Sequence, residues 1–300
     1  MKGFSPGVFL RGMAMGAADV VPGVSGGTVA FITGIYDELI ESLKAVNIQA
    51  LQTLFKSGPA AFWQYINGWF LLSLMLGVVA SILSLARLIS FGLQEYPLPL
   101  AALFFGLILA SALIVFQQIP ESRRQLVWLI CGAVFAVAIG ELRPAELNAT
   151  PLTLFLSGAL AICAMILPGI SGSFILLLLG MYKPVIDAVK HFELVSLLCF
   201  VAGCGLGLML FVRVLSWLMH HHRPPLLAVL TGILLGSLTI IWPWKFDAEG
   251  LLLSESLAPG WQNVSPWEYA QHADPQLLVS SIVAVLGVVL VLSLERIAKP

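Results

Sequence analysis

The chain has 300 residues, of which 59% are hydrophobic and only 10% charged, and its formal net charge is −1. Soluble domains carry about 25% charged residues, so this composition excludes a soluble globular protein and describes a polytopic membrane protein. No basic run points to nucleic acid, and Cys131, Cys163, Cys199 and Cys204 lie in apolar segments without CxxC or metal-ligand spacing.

The first apolar stretch follows Lys2 and Arg11 but is interrupted by Asp19 and by Pro22-Gly23-Val24-Ser25-Gly26-Gly27, which is not the pattern of a cleavable signal peptide. Thr28 opens a second apolar arm that runs to residue 43. A spanning helix needs about 20 residues. Neither arm supplies them, so residues 4–43 read as a re-entrant helical hairpin that breaks near the membrane centre. Irregular backbone at that depth is tolerated only where it is buried in protein or lines a polar cavity. Residues 46–66 are mixed in character and suit the interface. Transmembrane helices are predicted over 69–91, 98–116 and 126–141, the second opening with Pro97 and Pro99, where proline is tolerated. A second hairpin is expected over 152–189, around Pro168-Gly169-Ile170-Ser171-Gly172-Ser173, followed by spans over 194–219, 226–242 and 277–294. The polar connection over 245–275 is too short, and too rich in Trp and Pro, to be a soluble domain.

The two motifs belong to a longer repeat. With a shift of 146 residues, Gly12, Ala18, Pro22, Gly23, Ser25, Gly26, Gly34, Tyr36 and Ile40 meet identical residues. With a shift of 126, Gly77, Arg87, Ser90, Pro99, Gly106 and Ser111 meet Gly203, Arg213, Ser216, Pro225, Gly232 and Ser237. The chain therefore divides into residues 1–150 and 151–300, each a hairpin plus three crossings. An odd number of crossings inverts the second half. The expected fold is all-α, with two inverted repeats and a site between them near the midplane, as in secondary transporters. Lys2, Arg11, Lys44, Lys56, Arg123, Arg124, Arg223, Arg296 and Lys299 fall on one side, against Arg143, Lys183, Lys190 and Lys245 on the other. Positive charge collects on the cytoplasmic side, so both termini are expected there.

After each break a new helix starts, with unpaired amides and the positive end of its dipole. Gly23, Ser25, Gly26, Gly27 and Thr28, and Gly169, Ser171, Gly172 and Ser173, are therefore candidate anion-binding residues, with Ser25 and Ser171 as caps. The same small residues alternatively serve close helix packing. Arg87 and Arg213 sit in apolar sequence as repeat mates; they read as phosphate partners, or as side chains snorkelling to the helix ends. Asp19 is a candidate for proton coupling or for pairing with an arginine, and Glu141 is a weaker second candidate. His220, His221 and His222 are consecutive and do not share a helix face, so no metal site is expected, nor any cofactor or catalytic residue.

The run from Arg11 through Asp19 and Pro22-Gly23-Val24-Ser25-Gly26-Gly27 to Thr28 closely resembles the undecaprenyl phosphate translocases (PopT type, domain-of-unknown-function family 368), and the second motif fits that family's second signature. The resemblance covers essentially the whole chain. It implies a flippase of the bacterial inner membrane that returns undecaprenyl phosphate, or a related polyprenyl phosphate, from the outer to the inner leaflet for cell-wall and surface-polysaccharide synthesis. The residues themselves specify only an anion. An undecaprenyl pyrophosphate phosphatase and a small-anion channel are the alternative readings, and the assembly is left open, a homo-oligomer included.

Overall fold

The computed structural model describes residues 3–20, 25–120, 123–142, 145, 147–246 and 261–298. Gly23 of the first motif lies outside the described residues. The chain is an all-α membrane protein whose strands, among the described residues, are confined to one short ladder.

The first hairpin is α1 (Pro6–Val20), α2 (Gly26–Ile32) and α3 (Tyr36–Ala45). The chain turns from α2 into α3 at Gly34, whose φ of +70° is the left-handed region that favours glycine. Two short helices, α4 (Ile48–Ser57) and α5 (Pro59–Tyr65), lead into α6 (Gly68–Glu95), α7 (Pro97–Gln117) and α8 (Leu126–Gly140). The second hairpin is α9 (Pro151–Ile166), α10 (Gly172–Leu178) and α11 (Tyr182–Lys190), with α10 and α11 bent by 108° at Gly180. Then follow α12 (Leu194–His221), α13 (Arg223–Ser237), β1 (Lys245–Phe246), β2 (Gln262–Asn263), α14 (Pro266–Tyr269) and α15 (Leu277–Ala298).

Among the described residues, Gly68–Leu85, Pro97–Gln117 and Leu194–His221 are each long and apolar enough to cross a membrane alone. Leu126–Gly140, Pro151–Ile166, Arg223–Ser237 and Leu277–Ser293 are apolar but shorter. One expected span differs from the structure. Helix is expected to residue 242, yet α13 stops at Ser237 and the chain turns through Thr239 and Ile240 towards Pro243. The turn is held from outside: Asn263 Nδ2 donates to the Thr239 carbonyl at 2.8 Å, and the buried Lys245 Nζ donates to that of Ile240. Trp244, Phe246, Val264 and Tyr269 then pack with Leu98 into a small core over the start of α7.

Helix packing pairs α1 with α6 and α9 with α12, and it crosses between the halves for the rest, α7 with α15 and α8 with α13. The matched glycines explain how close these pairs come. A Cβ on Gly77 would lie 3.0 Å from the Gly12 Cα and would strike the Phe9 carbonyl, and its mate Gly203 faces the Phe155 carbonyl in the same way. Gly106 meets Ala284 of α15, and its mate Gly232 meets Leu129 of α8. Small residues at these crossings let helix backbones touch where lipid supplies no hydrophobic drive to hold them. The last helix of each half therefore rests on the other half, and residues 1–150 and 151–300 do not form separate packing units.

Candidate functional site

The first break ends at Ser25, whose extended backbone (φ −121°, ψ 135°) caps α2. Its hydroxyl accepts from the Gly27 amide at 3.0 Å and donates to the Met165 carbonyl at 2.9 Å. The Gly26 amide donates to Asp19 Oδ1 at 2.7 Å, so the carboxylate at the end of α1 folds back onto the helix that follows the break. The Thr28 amide bonds the Ser25 carbonyl at 2.9 Å. The Thr28 hydroxyl in turn accepts from the Gly169 amide at 3.0 Å, across to the second break. Tyr36, almost wholly buried, adds a hydroxyl bond to the Ile166 carbonyl at 3.3 Å. Ser25, Thr28 and Tyr36 thus tie the first hairpin to the second, Thr28 directly to the second break.

The second break is finished differently. Gly169 takes a φ of +90°, and Ser171 stands at the start of α10, where no side chain caps the helix. The Ser171 and Ser173 hydroxyls lie 2.7 Å apart, bonded to each other. Ser171, Gly172 and Ser173 face a cavity of about 340 Å³ that Asp19, Met165 and Cys204 also line. Hydroxyls and glycine backbone at the start of a helix suit a phosphate oxygen, while Asp19 puts a carboxylate in the same space.

On the other side of this break the lining is apolar. One groove of about 500 Å³ runs between α8, α9 and α10, and Leu167 and Ile170 of the break belong to its wall. A second, of about 440 Å³, continues along α8 towards Trp128 and Leu226. Phe135 and Leu167 line both, so a nearly unbroken apolar track passes the second break.

Other expected residues lie elsewhere. Arg87 on α6 and Arg213 on α12 are both exposed, and neither enters a hydrogen bond or ion pair among the described residues. Glu141, just past α8, is exposed. None of the three borders the cavity at the second break. Sequence reasoning missed the polar ties between α3 and the second half. Arg223 Nη1 binds Asp37 at 2.8 Å, Lys44 Nζ donates to Ser216 Oγ at 2.8 Å, and the Ser216 hydroxyl donates to Glu41. The signal was present as Tyr36, Glu41 and Lys44 recurring as Tyr182, Asp187 and Lys190, but nothing local named their partners. Among the described residues no cluster of His, Cys, Asp and Glu is placed to hold a metal ion.

Comparison with known proteins decides the family. The sequence profile of the undecaprenyl phosphate translocase-like family matches residues 15–257, which include both breaks and the cavity between them. The chain belongs to the undecaprenyl phosphate translocase-like family. A polyprenyl-phosphate transporter of Vibrio cholerae is 48% identical over 296 residues, 97% of this chain and 96% of the relative. A polyprenyl-phosphate transporter of Staphylococcus aureus is 28% identical over 255 residues, 78% of this chain and 85% of the relative. No solved structure matches. The region shared with the translocase-like family takes in α2 and α10, so the paired amides of the first break and the cavity of the second both fall within it.

Proposed function

We propose that this chain is a flippase that returns undecaprenyl phosphate, or a closely related polyprenyl phosphate, from the outer to the inner leaflet of the bacterial cytoplasmic membrane. The carrier lipid then serves again in peptidoglycan and surface-polysaccharide synthesis. The relatives that match over most of their length are named as polyprenyl-phosphate transporters. The observation that carries the reading is chemical: one helix break has a cavity lined by Ser171, Gly172 and Ser173 on one side and an apolar track on the other. That is the division of a prenyl phosphate into head and tail.

In this reading the phosphate takes the Ser171 and Ser173 hydroxyls and the α10 amides, while Gly169 keeps its amide on Thr28. The prenyl tail lies past Leu167 and Ile170 along α8. Asp19 is the first half's contribution. Two like charges in a shared low-dielectric space are strongly unfavourable, so the head group enters with a proton on Asp19 or on itself, which couples lipid movement to protons. Ser25, Gly26, Gly27 and Thr28 hold the first break in place, and they meet phosphate only when Asp19 lets go of Gly26. Arg87 and Arg213, at opposite depths on repeat-mate helices, draw the head group in and out. Glu141, away from the cavity, has no part in this mechanism. The halves are inverted repeats with both termini cytoplasmic; the exchange of last helices between halves and the charge distribution support that arrangement.

Binding tests the reading. Purified protein should bind a short-chain prenyl phosphate, and should bind the matching prenol at least tenfold more weakly, measured by native mass spectrometry. Removing both hydroxyls, as Ser171→Ala with Ser173→Ala, should weaken phosphate binding about tenfold or more, since each hydrogen bond to a charged group is worth about 1.5–3 kcal/mol. Equal binding of prenol and prenyl phosphate would reject the head-group site.

A further inference from the structure

The arms that complete the two hairpins are repeat mates with a matching apolar face in different surroundings. With the shift of 146 residues, Tyr36, Ile40 and Leu43 of α3 fall on Tyr182, Ile186 and Val189 of α11. The turns leading into the arms agree as well, with φ of +70° at Gly34 and +68° at Gly180. Spacings of four and three residues put the three side chains on one face of each helix. On α3 that face is covered. Tyr36 is 2% exposed and Ile40 0%, and Leu43 packs with them against Val212 and Leu215 of α12. On α11 the same face is bare, with Tyr182 41%, Ile186 36% and Val189 52% exposed. The neighbours differ accordingly: α3 packs chiefly on α12, in the other half of the chain, whereas α11 rests on α12 of its own half.

The polar groups repeat the contrast. Glu41 and Lys44 both bond Ser216 of α12. Their mates Asp187 and Lys190 keep the same charges at the same spacing, and the mate of Ser216 is Ser90 of α6. Among the described residues, neither the Asp187 nor the Lys190 side chain has a hydrogen-bond partner or ion pair. One tie is not duplicated. The mates of Asp37 and Arg223 are Lys183 and Pro97, so that ion pair exists only on the α3 side.

We propose that α3 and α11 are the two gates of the molecule, and that this structure is the state with the α3 gate shut and the α11 gate open. In the other state α3 leaves α12 and α11 closes on α6. Tyr182, Ile186 and Val189 then cover Ile89 and Leu93, the mates of Leu215 and Met219, while Asp187 and Lys190 reach the turn that carries Ser90. The proposal rests on the transport reading above, because a carrier needs both gates and never both open. The two apolar faces are nearly the same, Tyr-Ile-Leu against Tyr-Ile-Val, so exchanging one for the other changes burial little and leaves both states accessible. The Asp37–Arg223 pair, having no counterpart, tips the balance towards the state seen here.

Cross-linking tests the gates without relying on transport. In a background with Cys131, Cys163, Cys199 and Cys204 replaced, one cysteine pair is Glu41→Cys with Ser216→Cys and the other is Asp187→Cys with Ser90→Cys. A short thiol-specific bifunctional reagent is applied in membranes and the linked peptides are counted by mass spectrometry. Both pairs should link, the first in the larger fraction of molecules, and in the four-cysteine variant a molecule linked at one gate should not link at the other. Tyr182→Ala, whose side chain is exposed here and whose loss leaves this state folded, should lower the second link and raise the first. A second pair that never links, or both links in one molecule, overturns the gates. Prenyl phosphate transport without exclusive gating would leave the transporter standing and remove the gates; exclusive gating without prenyl phosphate transport would do the reverse.

Discussion

At the first break the described amides that open α2 are paired inside the protein: Gly26 to Asp19, Gly27 to the Ser25 hydroxyl and Thr28 to the Ser25 carbonyl. At the second, no side chain caps α10, and its serines face a cavity. The two motifs differ little in sequence, and the decisive difference lies outside them. Asp19 of the first half has Met165 as its repeat mate, so the second break lacks the carboxylate that closes the first. In the proposed reading the repeats have in this way divided the work: Ser25 and Thr28 tie the first half to the second, and the second break, with its serines on a cavity, is the one that binds. A helix start is an anion site only when nothing nearer has taken its amides.

Changes at glycines should break this comparison most severely. A Cβ on Gly26 would lie 2.6 Å from Asp19 Oδ2, and one on Gly172 would lie 2.8 Å from the Ala161 carbonyl. Neither site has room for a branched side chain. Overpacking costs about 1–3 kcal/mol or more, so Gly26→Val and Gly172→Val should each lower thermal stability measurably as well as abolish transport.

Asp19→Ala comes next. It removes the partner of the Gly26 amide, and it should destabilise the protein by about 1.5–3 kcal/mol, the scale of a hydrogen bond to a charged group. Asp19→Asn should recover part of that stability, because its amide oxygen still accepts, while flattening the pH dependence of transport. Ser171→Ala with Ser173→Ala should show the opposite pattern, a transport rate down about tenfold with a melting temperature close to that of the parent. If both sets of variants lose stability and transport in parallel, the division between locking and binding fails.

Smaller effects are expected at the arginines. Arg87 and Arg213 are exposed and off the cavity, so alanine at either should slow transport only about threefold, less than a tenfold step in barrier, with lysine restoring most of the rate. A loss as large as that of the serine pair would place them in the binding site itself. Lys245 should give the least effect, and a local one. Burial lowers its pKa from 10.5 to about 7. Between those values the unfolded chain binds more protons than the folded one, so the stability of the Trp244–Phe246 cluster falls as pH drops through that window and levels off below about 7. Tryptophan fluorescence during urea titration should show this slope, and Lys245→Met should remove it.

The membrane spans were legible because hydropathy is a local property: the segments expected over 69–91, 98–116 and 194–219 lie within α6, α7 and α12. The second break was legible because Pro168-Gly169 interrupts a helix by its own backbone chemistry, whatever packs around it. The end of α13 was not, since Ile240 and Ile241 are as apolar as the helix before them, and Lys245 and Asn263 hold the turn from a distance. Nor was the exchange of last helices between the halves, because one apolar helix carries no mark of which other it will meet. The pairing of the α2 amides also escaped, although Asp19 was singled out, because no local sequence pattern marks the Gly26 amide as the partner of its carboxylate.

The central claim is that the chain moves a prenyl phosphate between leaflets through the cavity of the second break. Its most direct test is leaflet-resolved tracking of a fluorescent prenyl phosphate in proteoliposomes, with a membrane-impermeant quencher reporting the outer leaflet. The account predicts that the protein speeds exchange of the phosphate form but not of the matching prenol, and that the Ser171→Ala, Ser173→Ala variant loses about tenfold of that rate. Exchange no faster than in protein-free vesicles would contradict it, as would release of inorganic phosphate from a prenyl pyrophosphate in place of movement.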